Sequence, residues 1–265
     1  MSSNQLDHPT MSAANLAEHV RSGRTRAVSR LITLLECQNP EGTAALRLLA
    51  PSPSPATIIG ITGYPGAGKS TLVDRLVTAY RRLGMRVGVL AVDISSHLTG
   101  GALLGDRIRM QDHTLDRGVY IRSMATRGHA GGLARATADA AKVLEAAGYQ
   151  VILIETIGVG QNEVDVTELA HTVVAVVAPG LGDEVQAMKA GLLEMAHIIV
   201  VNKGDRPGAE ATLLELRDWF PTVIRTIAAT GEQVSDLISA ITTHQRLRDL
   251  GCDSAKFRSW GARKP

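Results

Sequence analysis

The chain has 265 residues, of which 45% are hydrophobic and only 3% aromatic, so it can bury one large aliphatic core with a small appendage. A formal net charge of +2, without a dense basic stripe interleaved with aromatics, argues against nucleic acid as a partner. Two distant cysteines, a polar first ten residues and no bilayer-length apolar run argue against a secreted or membrane protein and predict a cytoplasmic one.

The first segment is predicted to be a helical extension. Apolar residues at helical spacing over residues 13–37 predict one or two amphipathic helices, and residues 43–49 predict a further short one. The Pro-Ser-Pro-Ser-Pro run at 51–55 cannot be helical and reads as a stiff connector. We therefore predict an extension with its linker at 1–55, a main domain at 56–248 and a short tail at 249–265.

Strand-like and helix-like segments alternate from residue 56 onwards. Strands are predicted near Ile58 and over 87–92, 119–122, 151–155, 173–178, 198–202 and 223–227. Helices are predicted over 69–83, 131–147, 184–195, 209–219 and 235–248. This alternation predicts a three-layer α/β/α fold with a mainly parallel sheet, and ligands at the carboxyl ends of the strands.

A complete P-loop, G-Y-P-G-A-G-K-S, occupies residues 63–70 directly after the strand-like residues 57–62. Glycines let the backbone curl its N–H groups towards phosphate oxygens, and the following helix presents its positive end. We predict that Lys69 reaches the β- and γ-phosphates and that Ser70 holds Mg²⁺. The predicted nucleotide cradle comprises Gly63, Tyr64, Pro65, Gly66, Ala67, Gly68, Lys69, Ser70 and Thr71.

The tetrad Asn202-Lys203-Gly204-Asp205 follows another apolar strand and predicts the base. A carboxylate at Asp205 can accept two hydrogen bonds from N1–H and the exocyclic amine of guanine, which adenine does not offer. Asn202 is expected to face the other edge of the base and brace the loops, and the stem of Lys203 to lie against the ring. The sequence therefore predicts a GTP-binding protein.

Acidic residues at other strand ends predict the metal region. Glu155 ends the strand at 151–155 and is expected to hold Mg²⁺, while the N–H of Gly158 meets the γ-phosphate. Asp93 ends the strand at 87–92, and Asp106 begins a predicted helix. Either carboxylate is a suitable Mg²⁺ ligand, and Asp106 is equally suited to be a helix N-cap.

Read together, these segments resemble the MeaB/ArgK family of P-loop GTPases. The resemblance rests on G-Y-P-G-A-G-K-S-T at 63–71, V-D-I-S-S-H-L-T-G-G-A-L-L-G-D-R at 92–107 and R-S-M-A-T-R-G-H-A-G-G-L-A at 122–134. It also rests on E-T-I-G-V-G-Q at 155–161, P-G-L-G-D-E-V-Q-A-M-K at 179–189 and N-K-G-D at 202–205.

The resemblance implies a GTPase that protects an adenosylcobalamin-dependent acyl-CoA mutase and gates loading of its cofactor. It assigns Asp93, Asp106 and Glu155 to the magnesium and hydrolysis region. By themselves, residues 179–189 indicate only a Gly-rich loop before a capped helix. The resemblance implies that they form a switch that senses the partner. Lys189 then joins Lys69, Glu155 and Asp106 as a predicted catalytic residue.

The resemblance also bears on the base and on assembly. The loop that usually reads T-S-A is Thr226-Ile227-Ala228 here, and the Ala228 N–H is expected to meet the guanine oxygen. A homodimer is a further expected assembly. Two alternatives stay open: an ATPase or kinase linked to amino-acid transport, and a metal-insertion GTPase of the hydrogenase-maturation type.

Overall fold

A computed structural model describes residues 12–93, 113, 115–125, 132–156, 169–180 and 195–251. Three helices come first, α1 (Ala13–Arg21), α2 (Thr25–Glu36) and α3 (Pro40–Leu48). The following elements are β1 (Thr57–Gly63), α4 (Lys69–Arg82), β2 (Val87–Asp93), β3 (Val119–Ala125), α5 (Gly132–Ala146), β4 (Val151–Thr156), β5 (Thr172–Val177), β6 (Ile198–Val201), α6 (Ala209–Arg217), β7 (Val223–Arg225) and α7 (Val234–Asp249).

The seven strands form one sheet in the order β3-β2-β4-β1-β5-β6-β7. Every neighbouring pair is parallel, which confirms the predicted α/β architecture. The central strand β1 lies between β4 and β5, with Ile61 opposite Glu155 on one side and Val174 on the other. Because β1 is also the strand that leads into the P-loop, that loop lies in the middle of the sheet's carboxyl edge.

Helices cover both faces of the sheet, which is why the strands are almost wholly apolar. Helices α4 and α7 pack on one face, against alternate strand residues such as Ile59, Leu153 and Val174. Helices α1, α2, α3 and α5 share a core on the other face with strand residues such as Ile152 and Ile154. Helix α6 packs on this second face too, against the β5–β7 end of the sheet.

The N-terminal helices are joined to the edge strand β3 by polar contacts as well as by this shared core. Arg122 of β3 forms an ion pair with Glu36 of α2 and donates a hydrogen bond to Thr33 Oγ1 at 3.0 Å. Ser29 Oγ and Tyr120 Oη lie 3.2 Å apart. Arg122 is the first residue of the motif at 122–134, and its side chain connects the sheet to α2.

Local signals explain most differences from the predicted boundaries. The predicted region 13–37 forms two helices, because the chain turns at Gly23 with φ of 71°. The predicted helix 43–49 begins earlier, at Pro40, because the Asn39 side chain caps it by accepting from the Glu41 N–H at 2.8 Å. The predicted helix at 184–195 falls almost entirely outside the described residues.

Candidate nucleotide-binding site

The candidate site lies where β1, β4 and β6 end. Residues 64–68 connect β1 to α4, and the turn at 202–205 follows β6. Glu155 is the penultimate residue of β4. Since these strands are parallel members of one sheet, their carboxyl ends bring segments that are distant in sequence to one edge.

Two glycines in the P-loop have no room for a side chain. A Cβ at Gly63, where φ is 133°, would lie 2.1 Å from the carbonyl oxygen of Val176. A Cβ at Gly68, where φ is 95°, would lie 2.3 Å from Nδ2 of Asn202. The loop therefore depends on glycine for close backbone approach to β5 and to the 202–205 turn, as well as for its left-handed conformation.

Lys69 begins α4, and its ammonium group is folded back over the loop. Its Nζ donates to the carbonyl oxygens of Gly63 at 2.5 Å and Tyr64 at 3.0 Å, and the residue is only 6% exposed. The positive charge is thus held next to the backbone of the P-loop. An anion placed there would meet this ammonium group together with the N-terminal end of α4.

Ser70 and Glu155 form the acidic part of the site. The Ser70 hydroxyl donates to Glu155 Oε1 at 2.6 Å, although the two residues are 85 positions apart in the chain. Next to them, Thr156 Oγ1 donates to Thr62 Oγ1 at 3.1 Å and ties the ends of β4 and β1 together. A hydroxyl and a carboxylate in contact are both hard oxygen donors, so this pair has the chemistry that suits Mg²⁺.

Asn202 connects three segments of the site. Its Nδ2 donates to the Ala67 carbonyl oxygen at 2.8 Å, and its Oδ1 accepts from Thr226 Oγ1 at 3.2 Å and from the Ala228 N–H at 3.0 Å. The bracing role predicted for Asn202 therefore matches the geometry. The Ala228 N–H, in contrast, is already donated to Asn202, and Ala228 is buried.

The rest of the tetrad forms a tight turn. Lys203 has a φ of 58°, an uncommon conformation for a residue other than glycine, and its Nζ donates to the Gly66 carbonyl oxygen at 2.6 Å. A Cβ at Gly204 would lie 2.5 Å from Cγ of Arg225, so glycine allows the turn to pack against β7. Asp205 is exposed at the tip, where a ligand has access to its carboxylate.

The remaining predicted residues are placed only in part. Tyr64 packs against the core on the α6 side, whereas Pro65 and Thr71 are exposed. Asp93 is the last residue of β2, whose backbone ends at the same edge of the sheet. Asp106, Gly158 and Lys189 lie outside the described residues. Their predicted roles stay predictions.

Sequence reasoning missed Arg75, which is on α4 six residues beyond Lys69. Its guanidinium group donates to the carbonyl oxygens of Ala228 at 3.1 Å and Ala229 at 3.0 Å. These contacts span more than 150 residues, and an arginine in the middle of a helix carries no motif that predicts them. Thr226, buried beneath the same loop, was also missed as a partner of Asn202.

Comparison with known proteins decides the family. Residues 28–260 match the family described as methylmalonyl-CoA mutase-associated GTPase MeaB. The chain belongs to the MeaB family. It is 51% identical over 258 residues to a protein of Pyrococcus horikoshii named as a GTPase, a match that covers 92% of this chain and 81% of the relative.

Two further relatives carry more specific names. The chain is 34% identical to GTPase ArgK of Escherichia coli, over 89% of this chain and 80% of that protein. It is 41% identical to the mouse mitochondrial methylmalonic aciduria type A homolog, over 68% of this chain and 46% of that protein. Membership of the MeaB family, together with the P-loop fold, makes this chain a GTPase.

Solved structures support the same fold. A structure described as LAO/AO transport system kinase superposes with a TM-score of 0.69 at 25% identity, covering 94% of this chain and 79% of the other. The nickel complex of HypB from Helicobacter pylori superposes with a TM-score of 0.54 at 14% identity, over 83% of this chain and 96% of that one, which shows a shared fold only. Across the described residues of this MeaB-family chain, no helix combines the length and the apolarity needed to cross a bilayer.

Proposed function

We propose that this MeaB-family GTPase binds GTP and Mg²⁺ at the P-loop edge of its sheet and works as a switch for an adenosylcobalamin-dependent acyl-CoA mutase. In this role it would gate loading of the mutase's cofactor and protect the enzyme. The observation that carries the nucleotide part is the hydrogen bond between Asn202 and Ala67, because it joins the predicted base-reading tetrad to the phosphate loop. The family description supports the mutase part.

The phosphates of GTP would be held by Lys69 and the P-loop amides. The Lys69 ammonium group is already beside the loop backbone, so binding would require it to exchange carbonyl partners for phosphate oxygens. Ser70 and Glu155 would hold Mg²⁺, with Asp93 and Asp106 as further carboxylates. When bound, Mg²⁺ neutralises the charge that develops between the β- and γ-phosphates.

Guanine would be recognised on the other side of the P-loop. The exposed Asp205 carboxylate is the group proposed to accept from N1–H and the exocyclic amine. The Lys203 side chain extends towards Gly66, and its methylene chain would lie against the proposed base. The base and the phosphates would thus contact segments that are already hydrogen-bonded to each other.

Hydrolysis would proceed by in-line attack of water on the γ-phosphate, with no covalent intermediate. The protein's contribution would be positioning and charge stabilisation, with Gly158 meeting the γ-phosphate. The loop at 179–189 would respond to the partner and bring Gln186 or Lys189 towards the phosphates. We expect slow turnover by the isolated protein and faster turnover when the partner is bound.

The partner proposal is tested by measuring phosphate release from GTP with and without methylmalonyl-CoA mutase. We expect the mutase to raise turnover, and the Lys189→Ala variant to be stimulated much less than the unmodified protein. Unchanged turnover with that mutase and with other adenosylcobalamin-dependent acyl-CoA mutases would contradict the proposal. If the mutase stimulates Lys189→Ala as strongly as the unmodified protein, only the proposed role of Lys189 is contradicted.

A second candidate function is an ATPase or kinase linked to amino-acid transport, which the name of one similar solved structure favours. The two functions differ in the base they require. If Asp205 reads guanine, GTP binds far more tightly than ATP, and Asp205→Asn shifts the preference towards xanthine nucleotides. Equal affinity for ATP and GTP would support the second function instead.

A further inference from the structure

Arg75 connects the helix that follows the P-loop to the loop that follows β7. Its Nε donates to the Ala228 carbonyl oxygen at 3.1 Å, and one terminal nitrogen donates to the Ala229 carbonyl oxygen at 3.0 Å. Its side-chain stem runs over Gly231, where a Cβ would lie 3.8 Å from Arg75 Cδ. Across the described residues, no carboxylate lies within ion-pair distance of Arg75, so its guanidinium group is committed to these two carbonyls.

These contacts complete a ring of hydrogen bonds. The P-loop carbonyl of Ala67 accepts from Asn202, and Asn202 accepts from the Ala228 N–H. The Ala228 carbonyl accepts from Arg75, and Arg75 belongs to α4, the helix that the P-loop begins. The loop at 226–230 is therefore held from two sides, by Asn202 below and by Arg75 across from it.

The two carbonyl groups that accept from Arg75 orient the peptide groups of this loop. In a trans peptide the C=O and the following N–H point in opposite directions, so holding the Ala228 carbonyl also sets the direction of the Ala229 N–H. Ala228 and Ala229 have only methyl side chains and cannot orient these peptide groups themselves. Arg75 supplies the orientation from another element.

We infer that Arg75 is a positioning residue for base selectivity, which orients the Ala229 N–H towards the 6-oxo group of guanine, since the Ala228 N–H is already donated to Asn202. This inference rests on the proposed guanine site. It concerns one group of the base, the 6-oxo group, because Asp205 is proposed to accept from N1–H and the 2-amino group. Arg75 would affect recognition of the neighbouring 6-oxo group only.

The test uses GDP and two analogues that each differ from it at one group of the base: inosine diphosphate, without the 2-amino group, and 6-thioguanosine diphosphate, in which sulfur, a weak acceptor, replaces the 6-oxo group. Their affinities are measured by competition with a fluorescent GDP for the unmodified protein and for Arg75→Met. We expect Arg75→Met to bind GDP and inosine diphosphate about tenfold more weakly, the worth of about one hydrogen bond. Binding of the analogue without the 6-oxo group should change by less than about twofold.

Three controls separate the outcomes. Arg82→Met removes an exposed arginine from the same helix and should leave all three affinities unchanged. Arg75→Lys, which keeps the charge and a donor, should recover part of the 6-oxo preference. Because the preference is a ratio measured on one protein, a partly unfolded variant does not alter it.

Equal weakening of all three diphosphates by Arg75→Met would overturn the inference and leave Arg75 as a purely structural contact. The proposed guanine site itself fails in a different way. If the unmodified protein binds the analogue without the 6-oxo group as tightly as GDP, the protein does not recognise the 6-oxo group, and the effect of Arg75→Met does not alter that conclusion.

Discussion

Asn202 Nδ2 lies 2.8 Å from the carbonyl oxygen of Ala67, and this one hydrogen bond connects the turn after β6 to the P-loop. Asn202 is 2% exposed, and both polar atoms of its side chain are hydrogen-bonded within the protein. The relative position of the P-loop and the 202–205 turn is therefore set before any ligand arrives. Substitution of Asn202 should affect the proposed phosphate and base contacts together.

Gly68→Ala should destabilise the protein more than Gly66→Ala. Both residues have positive φ, which costs alanine about 1–2 kcal/mol. A Cβ at Gly68 also lies 2.3 Å from Asn202 Nδ2, whereas a Cβ at Gly66 meets nothing within 4 Å. Displacing Asn202 leaves buried polar groups unsatisfied at a further cost of about 1–3 kcal/mol. Urea unfolding without nucleotide measures the difference, and equal losses would show that Asn202 can move freely.

Glu155→Gln should impair hydrolysis while leaving the fold intact. The glutamine oxygen can still accept from the Ser70 hydroxyl, so the contact between β4 and α4 is preserved. A neutral amide is a poorer Mg²⁺ ligand than a carboxylate, so we expect turnover to fall about tenfold or more and the Mg²⁺ requirement to rise. Phosphate release measured across a Mg²⁺ titration tests this, with Glu18→Gln on the surface of α1 as control. Unchanged Mg²⁺ dependence would remove Glu155 from the metal region.

Replacing Arg122 alone should lower the free energy of unfolding more than replacing both Arg122 and its ion-pair partner Glu36. Their side chains are 17% and 6% exposed, so Arg122→Met alone leaves a carboxylate buried without its cation. We expect a loss of about 3–5 kcal/mol in the free energy of unfolding. Adding Glu36→Leu should recover much of this loss, because the site becomes apolar on both sides.

A double-mutant cycle measured by urea unfolding gives the coupling between these two residues. Lys142→Met, which removes the exposed partner of an ion pair within α5, is the matched control and should cost less than about 1 kcal/mol. If the two substitutions at 122 and 36 are simply additive, the pair does not couple α2 to β3.

His171 should make the protein less stable in mildly acidic solution. Burial lowers the pKa of His171 below its usual value of 6.5, and the nearby positive charge of Arg248 lowers this pKa further. Its Nδ1 accepts from the Ile58 N–H at 3.2 Å, an interaction that requires the neutral ring nitrogen. The unfolded chain binds the proton more readily than the folded one, so stability is complete above the unfolded pKa and falls as the pH drops below it.

Urea midpoints at about pH 7.5 and about pH 5.5 test this expectation. His171→Asn keeps a side-chain acceptor for the Ile58 N–H but does not titrate, so its midpoint should fall less between the two pH values. If both proteins lose the same stability, other groups account for the acid sensitivity.

Much of the fold follows from local patterns in the sequence. The strands around Val151 and Val173 are short, apolar and flanked by turn residues, so their periodicity and length identify them. Boundaries are less well determined, because they depend on caps such as Asn39. The packing of α1–α3 onto the same core as α5 is a long-range property, and no local pattern indicated it.

The candidate site was predictable where a motif carries the chemistry. Lys69, Ser70 and Asn202 belong to patterns whose spacing has a physical reason, and the structure brings their segments together. Arg75 was not predictable, because its partners are backbone carbonyls, which every residue type offers. The commitment of the Ala228 N–H to Asn202 was likewise invisible, since it depends on how closely two loops approach.

The order of residues was enough to determine the P-loop, the tetrad at 202–205 and the alternation that builds a parallel sheet, because these depend on spacing along the chain and on local backbone preference. Tertiary structure decided which of these segments touch. The parallel strands end at one edge of the sheet, and hydrogen bonds there join residues that are far apart in sequence. These bonds connect Ser70 to Glu155, Asn202 to Ala67, and Arg75 to Ala228.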